Sequence, residues 1–180
     1  WDKEFPEGKI IKIIGEKGIV DNEIHAILEE YELPYEFTEV LNKEAHKLES
    51  LQNENEIKNR KDLRNTTTIT IDPEDAKDFD DAISVKINKN KSLEIGIHIA
   101  DVSFFLKKNS ELDKEAFKRA TSVYLVDRVV PMLPESLSNK LCSLRPNEEK
   151  FTFSAMFTFD ENYKIIKEWF GKTVINSNKR

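Results

Sequence analysis

The stretch TIDPEDAKDFDDAISV, residues 70–85, places a dense acidic segment between two β-forming runs. Six acidic residues and one lysine lie between Asp72 and Asp81. Two carboxylates 4 Å apart repel by about 1 kcal/mol in water and about 4 kcal/mol in a partly buried site. The acids must therefore point apart into solvent or surround a positive charge. Because the flanking TITI and AISV are rich in β-branched residues, we expect two strands that hold the acids on a connecting loop.

Further segments with strand-like patterns lie on both sides of this loop in the sequence, and they predict the fold class. Three runs are rich in β-branched residues: TTTITI, AISVKI and SLEIGIHIA, with NKNK as a hairpin turn between the last two. FTFSAMFTF, residues 151–159, alternates strictly and predicts a strand whose phenylalanine face lies in the core, and IIKEWF predicts another. Ser110 is expected to cap a short helix over ELDKEAFKRA. The pattern predicts an α+β fold with a mixed, mainly antiparallel sheet and flanking helices.

The N-terminal third predicts a short strand and helices. GKIIKIIG, residues 8–15, is typical of a strand, and Asp21 is placed to cap a helix that follows it. Thr38 begins a longer helical pattern, and the polar stretch QNENEIKNRKDLRN then reads as a connector. We expect a domain boundary near residue 60, separating 1–60 from 61–180.

Composition limits the functional classes. Of 180 residues, 38% are hydrophobic and 34% charged, which suits a folded domain rather than a disordered chain. The apolar runs are too short to cross a bilayer, so we expect no membrane contact. The single cysteine, Cys142, excludes an internal disulfide and fits a reducing compartment, which predicts a cytoplasmic location. The absence of an initiator methionine suggests a piece of a longer protein.

The charge is unevenly distributed along the chain. Residues 1–71 carry 10 basic and 16 acidic side chains, whereas residues 72–180 carry 18 of each. The second part is therefore basic away from its acidic segment. This distribution is compatible with a polyanionic substrate that approaches a metal site.

The acidic segment has the residue types of a magnesium site. Mg²⁺ prefers carboxylates, water and phosphate oxygens in near-octahedral geometry. Asp78 and Asp80 face the same way in an extended chain, whereas Asp81 faces the other way unless the chain turns. A loop that brings Asp72 back towards them could place four aspartates around one or two ions.

Two other interpretations of the acids come from the residues alone. One is a solvated acidic turn without any ligand. The other is a calcium loop of the EF-hand type, which is disfavoured because Ala76 and Lys77 fall where such a loop has a ligand and a glycine.

The longer pattern resembles the catalytic signature of the ribonuclease II and ribonuclease R family of exoribonucleases, with more similarity to its ribonuclease R members. The resemblance extends from residues 70–85 through HIADVSFFL and LDKEAFKRATSVYLVDRVVPMLPESLSNKLCSLRPNE to FTFSAMFTF. PEGKIIKIIG and IHAILEEYELPYEF resemble the end of the family's cold-shock domain and its helical link to the catalytic domain. The resemblance thus covers almost the whole chain.

The resemblance implies a reaction and a set of site residues. It implies 3′-to-5′ hydrolysis of RNA to nucleoside 5′-monophosphates, with Mg²⁺ or Mn²⁺ held by Asp72, Asp78, Asp80 and Asp81. Asp80 would be the aspartate essential for cleavage. Tyr124 would stack on RNA near the scissile end, although from the residues alone it reads as a strand residue packed on a sheet.

The resemblance also implies that more of the catalytic domain follows residue 180. We therefore expect the isolated chain to be inactive or impaired, and to self-associate through uncovered sheet edges and apolar faces. The alternatives are a non-catalytic RNA-binding module and a structural domain stabilised by Ca²⁺.

The other candidate residues have simpler explanations. His98 is expected to be a hydrogen-bonded core histidine, and Cys142 a small buried apolar group. His25 and His46 are expected at the surface. Three arginines are expected to be solvated or salt-bridged rather than bound to phosphate: Arg119, Arg128 and Arg145.

Overall fold

A computed structural model describes residues 8–178 of the chain. The chain divides into two compact units, residues 1–36 and 37–180. The sequence pattern predicts a domain boundary near residue 60, whereas the compact units divide between residues 36 and 37. Residues 37–60 therefore belong with the larger unit.

The first unit contains one helix in its described part, α1 over Val20–Glu30. Its N-cap is Ile19, so the prediction that Asp21 caps this helix is wrong. Asp21 lies in the first turn instead, where its charge interacts favourably with the helix dipole. Leu28 is the buried residue of this helix, whereas Ile27 is exposed.

The strand predicted over residues 8–15 does not form. These residues are irregular, and Ile10, Ile11 and Ile13 are all exposed. A β-branched run becomes a strand only when a second strand pairs with it. The described part of the first unit contains no such partner.

The second unit contains helices and a sheet. The helices and helical turns are α2 (Glu39–Leu48), a 3₁₀ turn (Glu49–Leu51), α3 (Glu54–Ile57), α4 (Val102–Phe105), α5 (Glu111–Arg119) and a π-helix (Ser136–Leu141). The strands are β1 (Lys61–Asp62), β2 (Thr68–Ile69), β3 (Asp81–Ile87), β4 (Leu93–Ala100), β5 (Val123–Tyr124), β6 (Val129–Val130), β7 (Glu149–Phe159) and β8 (Ile165–Asn176).

Six of these strands form one mixed sheet in the order β1-β8-β7-β4-β3-β2. Only the β1–β8 pair is parallel. Strands β5 and β6 form a separate antiparallel hairpin. The predicted α+β class with a mainly antiparallel sheet is confirmed.

Two helices begin where the sequence predicts, at Thr38 and at the predicted cap Ser110. Thr38 accepts a hydrogen bond from Leu41 N–H at the start of α2, and Ser110 accepts one from Asp113 N–H at the start of α5. Leu41 and Ala45 are buried in the core of the second unit. The apolar stripe of α2 therefore explains why this helix packs with the sheet-containing unit.

The predicted polar connector is in fact part of the second unit. It contains α3 and β1, and between them Arg60 is buried. The Arg60 guanidinium lies 2.8 Å from Asp101 and stacks over the ring of Phe151. The burial of Arg60 was not predicted, because an arginine that is buried with its counterion looks like any other polar residue in the sequence.

The strand predicted at residues 151–159 forms, but its buried face is the opposite one. Phe151 is buried, whereas Phe153 is 50% exposed. The fully buried residues are Thr152 and Ser154, which point to the other side of β7. Because side chains alternate along a strand, the more buried face of β7 is that of Thr152 and Ser154, and the phenylalanine face is fully buried only at Phe151.

Buried polar side chains occupy that inner face because they hydrogen-bond to one another. His98 contacts Ser154 Oγ through Nδ1 at 2.6 Å and Ser84 Oγ through Nε2 at 2.8 Å. Ser154 Oγ also contacts Thr173 Oγ1. Burial, with a smaller contribution from the charge of Lys61, lowers the pKa of His98 to about 4. The prediction of a satisfied core histidine is confirmed.

No described helix is long and apolar enough to span a membrane.

Candidate active site

The acidic segment forms an irregular loop that joins β2 to β3. Its anchor is Phe79, whose side chain is buried in the core. Phe79 N–H donates to Ser143 Oγ at 3.0 Å, and Leu144 N–H donates to Phe79 C=O at 2.8 Å. Ala100 N–H donates to Asp80 C=O at 3.0 Å. These bonds attach the loop to elements that are distant in sequence.

The buried phenylalanine directs its two acidic neighbours to the opposite side. Asp78 and Asp80 flank Phe79, and both line one cleft of about 740 Å³. Asp72, at the start of the loop, lines the same cleft. The expectation that Asp78 and Asp80 share a side and that the loop returns Asp72 to them agrees with this geometry.

Asp81 occupies a different position. It is the first residue of β3, is exposed and pairs with Ile99 of β4. It is not among the residues that line the cleft. The structure thus places three of the four predicted aspartates in the cleft and the fourth beside it.

The four carboxylates interact through their charges. Partial desolvation, together with the negative charges of Asp78, Asp81 and Asp72, raises the pKa of Asp80. One carboxylate oxygen of Asp72, Oδ2, is buried without a hydrogen-bond partner. Buried polar atoms without a partner are rare and mark a position where a cation or donor would be stabilising.

The donor set suits a hard divalent cation by residue type and charge, since all four candidates supply carboxylate oxygens. The coordination geometry is not preformed. Among the residues at positions 8–178, no group of three or more His, Cys, Asp or Glu side chains is arranged so that it could hold a metal ion.

Tyr124 lies over the acidic cleft on the β5–β6 hairpin. Its side chain is 63% exposed, so it is not a core strand residue packed on the sheet. Its hydroxyl donates a hydrogen bond to Asp78 Oδ2. This bond to a carboxylate raises the pKa of Tyr124 to about 12. Two residues predicted as site residues are therefore in direct contact.

The same hairpin carries Arg128, whose place in the cleft the sequence analysis missed. Its guanidinium binds both carboxylate oxygens of Asp127, at 3.1 and 2.8 Å, so the predicted salt bridge is present. Arg128 and Lys77 are the cations among the described residues that line the cleft. Recognising LVDR as a hairpin turn next to Tyr124 would have placed this arginine near the acids.

Ser143 is a second residue that the sequence analysis missed. It is fully buried and contacts the backbone of the acidic loop. No local signal marks it, because its partners lie more than 60 residues earlier in the chain.

Of the remaining candidates, His25 is half-buried and its ring stacks on Tyr35, which differs from the predicted surface position. The others agree with the simpler explanations. Cys142 is buried, and this burial raises the pKa of its thiol to about 12. Arg119 and Arg145 pair with glutamates, Arg119 with Glu115 at 2.8 Å. His46 is exposed, as predicted.

The chain matches two family models, the RNB domain over residues 60–180 and a cold-shock domain over residues 1–38.

Curated relatives match almost the whole chain but extend well beyond it. Ribonuclease R 2 of Lactococcus lactis is 45% identical over 97% of this chain and 26% of its own length. DIS3-like exonuclease 2 of Xenopus tropicalis is 44% identical over 98% of this chain and 21% of its own. The chain therefore spans about a quarter of the length of these relatives.

A solved structure has the same fold. Mycoplasma genitalium RNase R, in complex with double-stranded RNA, superposes with a TM-score of 0.83 and 34% identity. The match covers 93% of this chain and 30% of the other.

Proposed function

The chain belongs to the RNB family, and from that premise we propose that it forms part of a 3′-to-5′ exoribonuclease. The reaction is hydrolysis of RNA to nucleoside 5′-monophosphates. The observation that carries this proposal is the meeting of Asp72, Asp78, Asp80 and Tyr124 at one cleft. The names of the relatives, ribonuclease R and DIS3-like exonuclease, support the same reaction class.

RNA is the proposed partner. The similar Mycoplasma genitalium enzyme was solved with double-stranded RNA. In this chain the exposed ring of Tyr124 offers a stacking surface, and Arg128 offers a guanidinium that suits a phosphate.

Asp72, Asp78, Asp80 and Asp81 are the proposed ligands of Mg²⁺ or Mn²⁺. When bound, such ions would make water more nucleophilic and stabilise the negative charge that develops on the leaving oxygen. The chain contributes the carboxylates that neutralise the cations. The raised pKa of Asp80 and the partnerless Oδ2 of Asp72 support this assignment, since both carboxylates would gain from a cation.

Tyr124 is proposed to position the 3′ end of the strand. A base stacked on its ring would lie directly beside the aspartates, because the hydroxyl of the same side chain is bonded to Asp78. Stacking does not depend on base identity, which suits an enzyme that removes successive nucleotides. A cytoplasmic location belongs to the same proposal and is supported by the single, buried, unpaired cysteine.

Single-stranded RNA labelled at either end tests the proposed reaction. With the full-length protein and Mg²⁺, 5′-labelled RNA should give a descending ladder, while 3′-labelled RNA should release labelled 5′-mononucleotide at once. Tight RNA binding without shortening would favour the non-catalytic binding module. Internal cuts, or shortening from the 5′ end, would contradict the proposed polarity.

A further inference from the structure

Ser143 lies in the buried wall behind the acidic loop. Its side chain has no exposure to solvent. The hydroxyl makes two hydrogen bonds, accepting from Phe79 N–H at 3.0 Å and donating to Lys77 C=O at 3.1 Å. A serine hydroxyl can do both at once because it has one proton and two lone pairs.

The two backbone groups that Ser143 binds lie on either side of Asp78. Lys77 C=O belongs to the peptide unit before Asp78, and Phe79 N–H belongs to the unit after it. One hydroxyl therefore closes a bridge across both peptide units of this aspartate. The next residue, Leu144, continues the attachment by donating to Phe79 C=O at 2.8 Å.

Ser143 is itself held in place by a helix that contributes residues to the cleft. The π-helix over Ser136–Leu141 ends just before it, and Ser143 N–H donates to Lys140 C=O at 3.3 Å. Ser138 and Asn139 of this π-helix line the cleft. Ser143 thus connects the acidic loop with the π-helix, and both of these elements line the cleft.

We propose that Ser143 is a positioning residue that fixes the carboxylate of Asp78 relative to Asp80 and Tyr124. This inference rests on the proposed function of the cleft. Without the hydroxyl, the buried Phe79 N–H and the partly buried Lys77 C=O each lose this hydrogen bond, which favours a shift of the loop. A misplacement of about 1 Å in a catalytic group can cost about a hundredfold in rate.

A purely structural role would have a different signature, and the chain contains a matched control for it. Ser154 is also a fully buried serine, and its hydroxyl contacts His98 and Thr173 rather than the acidic loop. Ser154→Ala therefore removes the same atom from an equally buried position. It should lower stability without displacing Asp78.

The experiment compares Ser143→Ala, Ser143→Cys and Ser154→Ala in the full-length protein at a temperature where all three are folded. The first measurement is kcat and KM on single-stranded RNA. The second is Mn²⁺ binding without RNA, followed by electron paramagnetic resonance, with Asp80→Asn identifying the signal of this site.

Ser143→Ala should lower kcat by about 10- to 100-fold with KM nearly unchanged, and weaken Mn²⁺ binding several-fold. Ser143→Cys, which keeps a weaker donor and acceptor, should fall between the alanine variant and the wild type. Ser154→Ala should keep kcat within about twofold of the wild-type value. This should hold even if its melting temperature falls as much as that of Ser143→Ala.

The proposal is overturned if Ser143→Ala keeps kcat and Mn²⁺ affinity within about twofold of wild type, or if Ser154→Ala loses both equally. If Ser143→Ala does not fold, Ser143→Cys takes its place, and its kcat and Mn²⁺ affinity are compared with those of Ser154→Ala by the same criterion. A wild-type protein that binds Mn²⁺ at this site but does not shorten RNA would refute the proposed function. In that case the Mn²⁺ measurements alone would still test the role of Ser143.

Discussion

The hydroxyl of Tyr124 donates a hydrogen bond to Asp78 Oδ2, across 46 residues of sequence. This bond joins the β5–β6 hairpin to the acidic loop, so the proposed base-stacking ring is in direct contact with a proposed metal ligand. Substitutions at Tyr124 can separate these two roles.

Tyr124→Ala should lengthen the final products of RNA digestion, whereas Tyr124→Phe should leave their length unchanged. The reason is that the ring contributes about 1–3 kcal/mol of stacking per base, and this matters most when few nucleotides remain bound. Denaturing gels of exhaustive digests measure the product length. If both variants give wild-type products, the ring does not hold the 3′ end.

Asp80→Asn should reduce kcat more than tenfold, a barrier increase above about 1.4 kcal/mol, while RNA affinity changes little. The substitution keeps the size of the side chain and removes one charge from a carboxylate whose pKa is raised by desolvation and by three neighbouring aspartates. Glu74→Gln is the control, because Glu74 is exposed in the same loop but does not line the cleft. Equal activity in the two variants would refute the role of Asp80.

Arg128→Gln should raise KM for RNA several-fold and make the slope of log affinity against log salt shallower by about one. The substitution removes one of the two cations among the described residues that line the cleft. Arg145→Gln, which removes an arginine paired with Glu148 outside the cleft, should change KM much less. An unchanged salt slope in Arg128→Gln would show that this guanidinium does not contact phosphate.

Lowering the pH should reduce the free energy of unfolding of the RNB domain, because His98 is protonated more readily in the unfolded state. Its pKa is about 4 in the folded state against 6.5 for an ordinary histidine, so the unfolded state binds the proton first as the pH falls. The stabilising contribution is complete above pH 6.5 and is lost between about pH 6.5 and 4, at up to about 1.4 kcal/mol per pH unit.

Urea unfolding of the domain at several pH values measures this dependence. His98→Gln should flatten it, although the substitution itself costs stability. A parallel dependence in wild type and His98→Gln would contradict the assignment.

The isolated 180-residue chain should self-associate and degrade RNA poorly. One face of the sheet exposes Phe153 and Ile99, which pair directly, beside Ile97 and Phe170, which both pair with Ala155. Contiguous apolar surface of this kind favours association. Sedimentation velocity should show oligomers that Phe153→Lys reduces.

Phe117→Lys is the matched control for that measurement, because Phe117 is even more exposed but lies on α5. A monodisperse monomer with full exonuclease activity would contradict both parts of the prediction.

Local chemistry predicted much of the fold from the sequence alone. The strands β3, β4 and β7 have β-branched or alternating patterns, and the starts of α2 and α5 follow from the hydroxyls of Thr38 and Ser110. The order Asp78-Phe79-Asp80 likewise determined that two carboxylates share a side once the ring between them is buried. These features depend on neighbours within a few residues, so they are visible in the chain itself.

Tertiary structure decided what depends on distant partners. Residues 8–15 have a strand pattern but form no strand, because β-branching does not supply a second strand to pair with. The more buried face of β7 carries Ser154, whose hydroxyl contacts His98 and Thr173 on neighbouring strands, and the phenylalanine pattern does not show these partners. The contacts of Ser143 with the acidic loop and of Tyr124 with Asp78 also join distant segments. Side-chain type shows which groups can hydrogen-bond, but only the folded chain brings the two partners together.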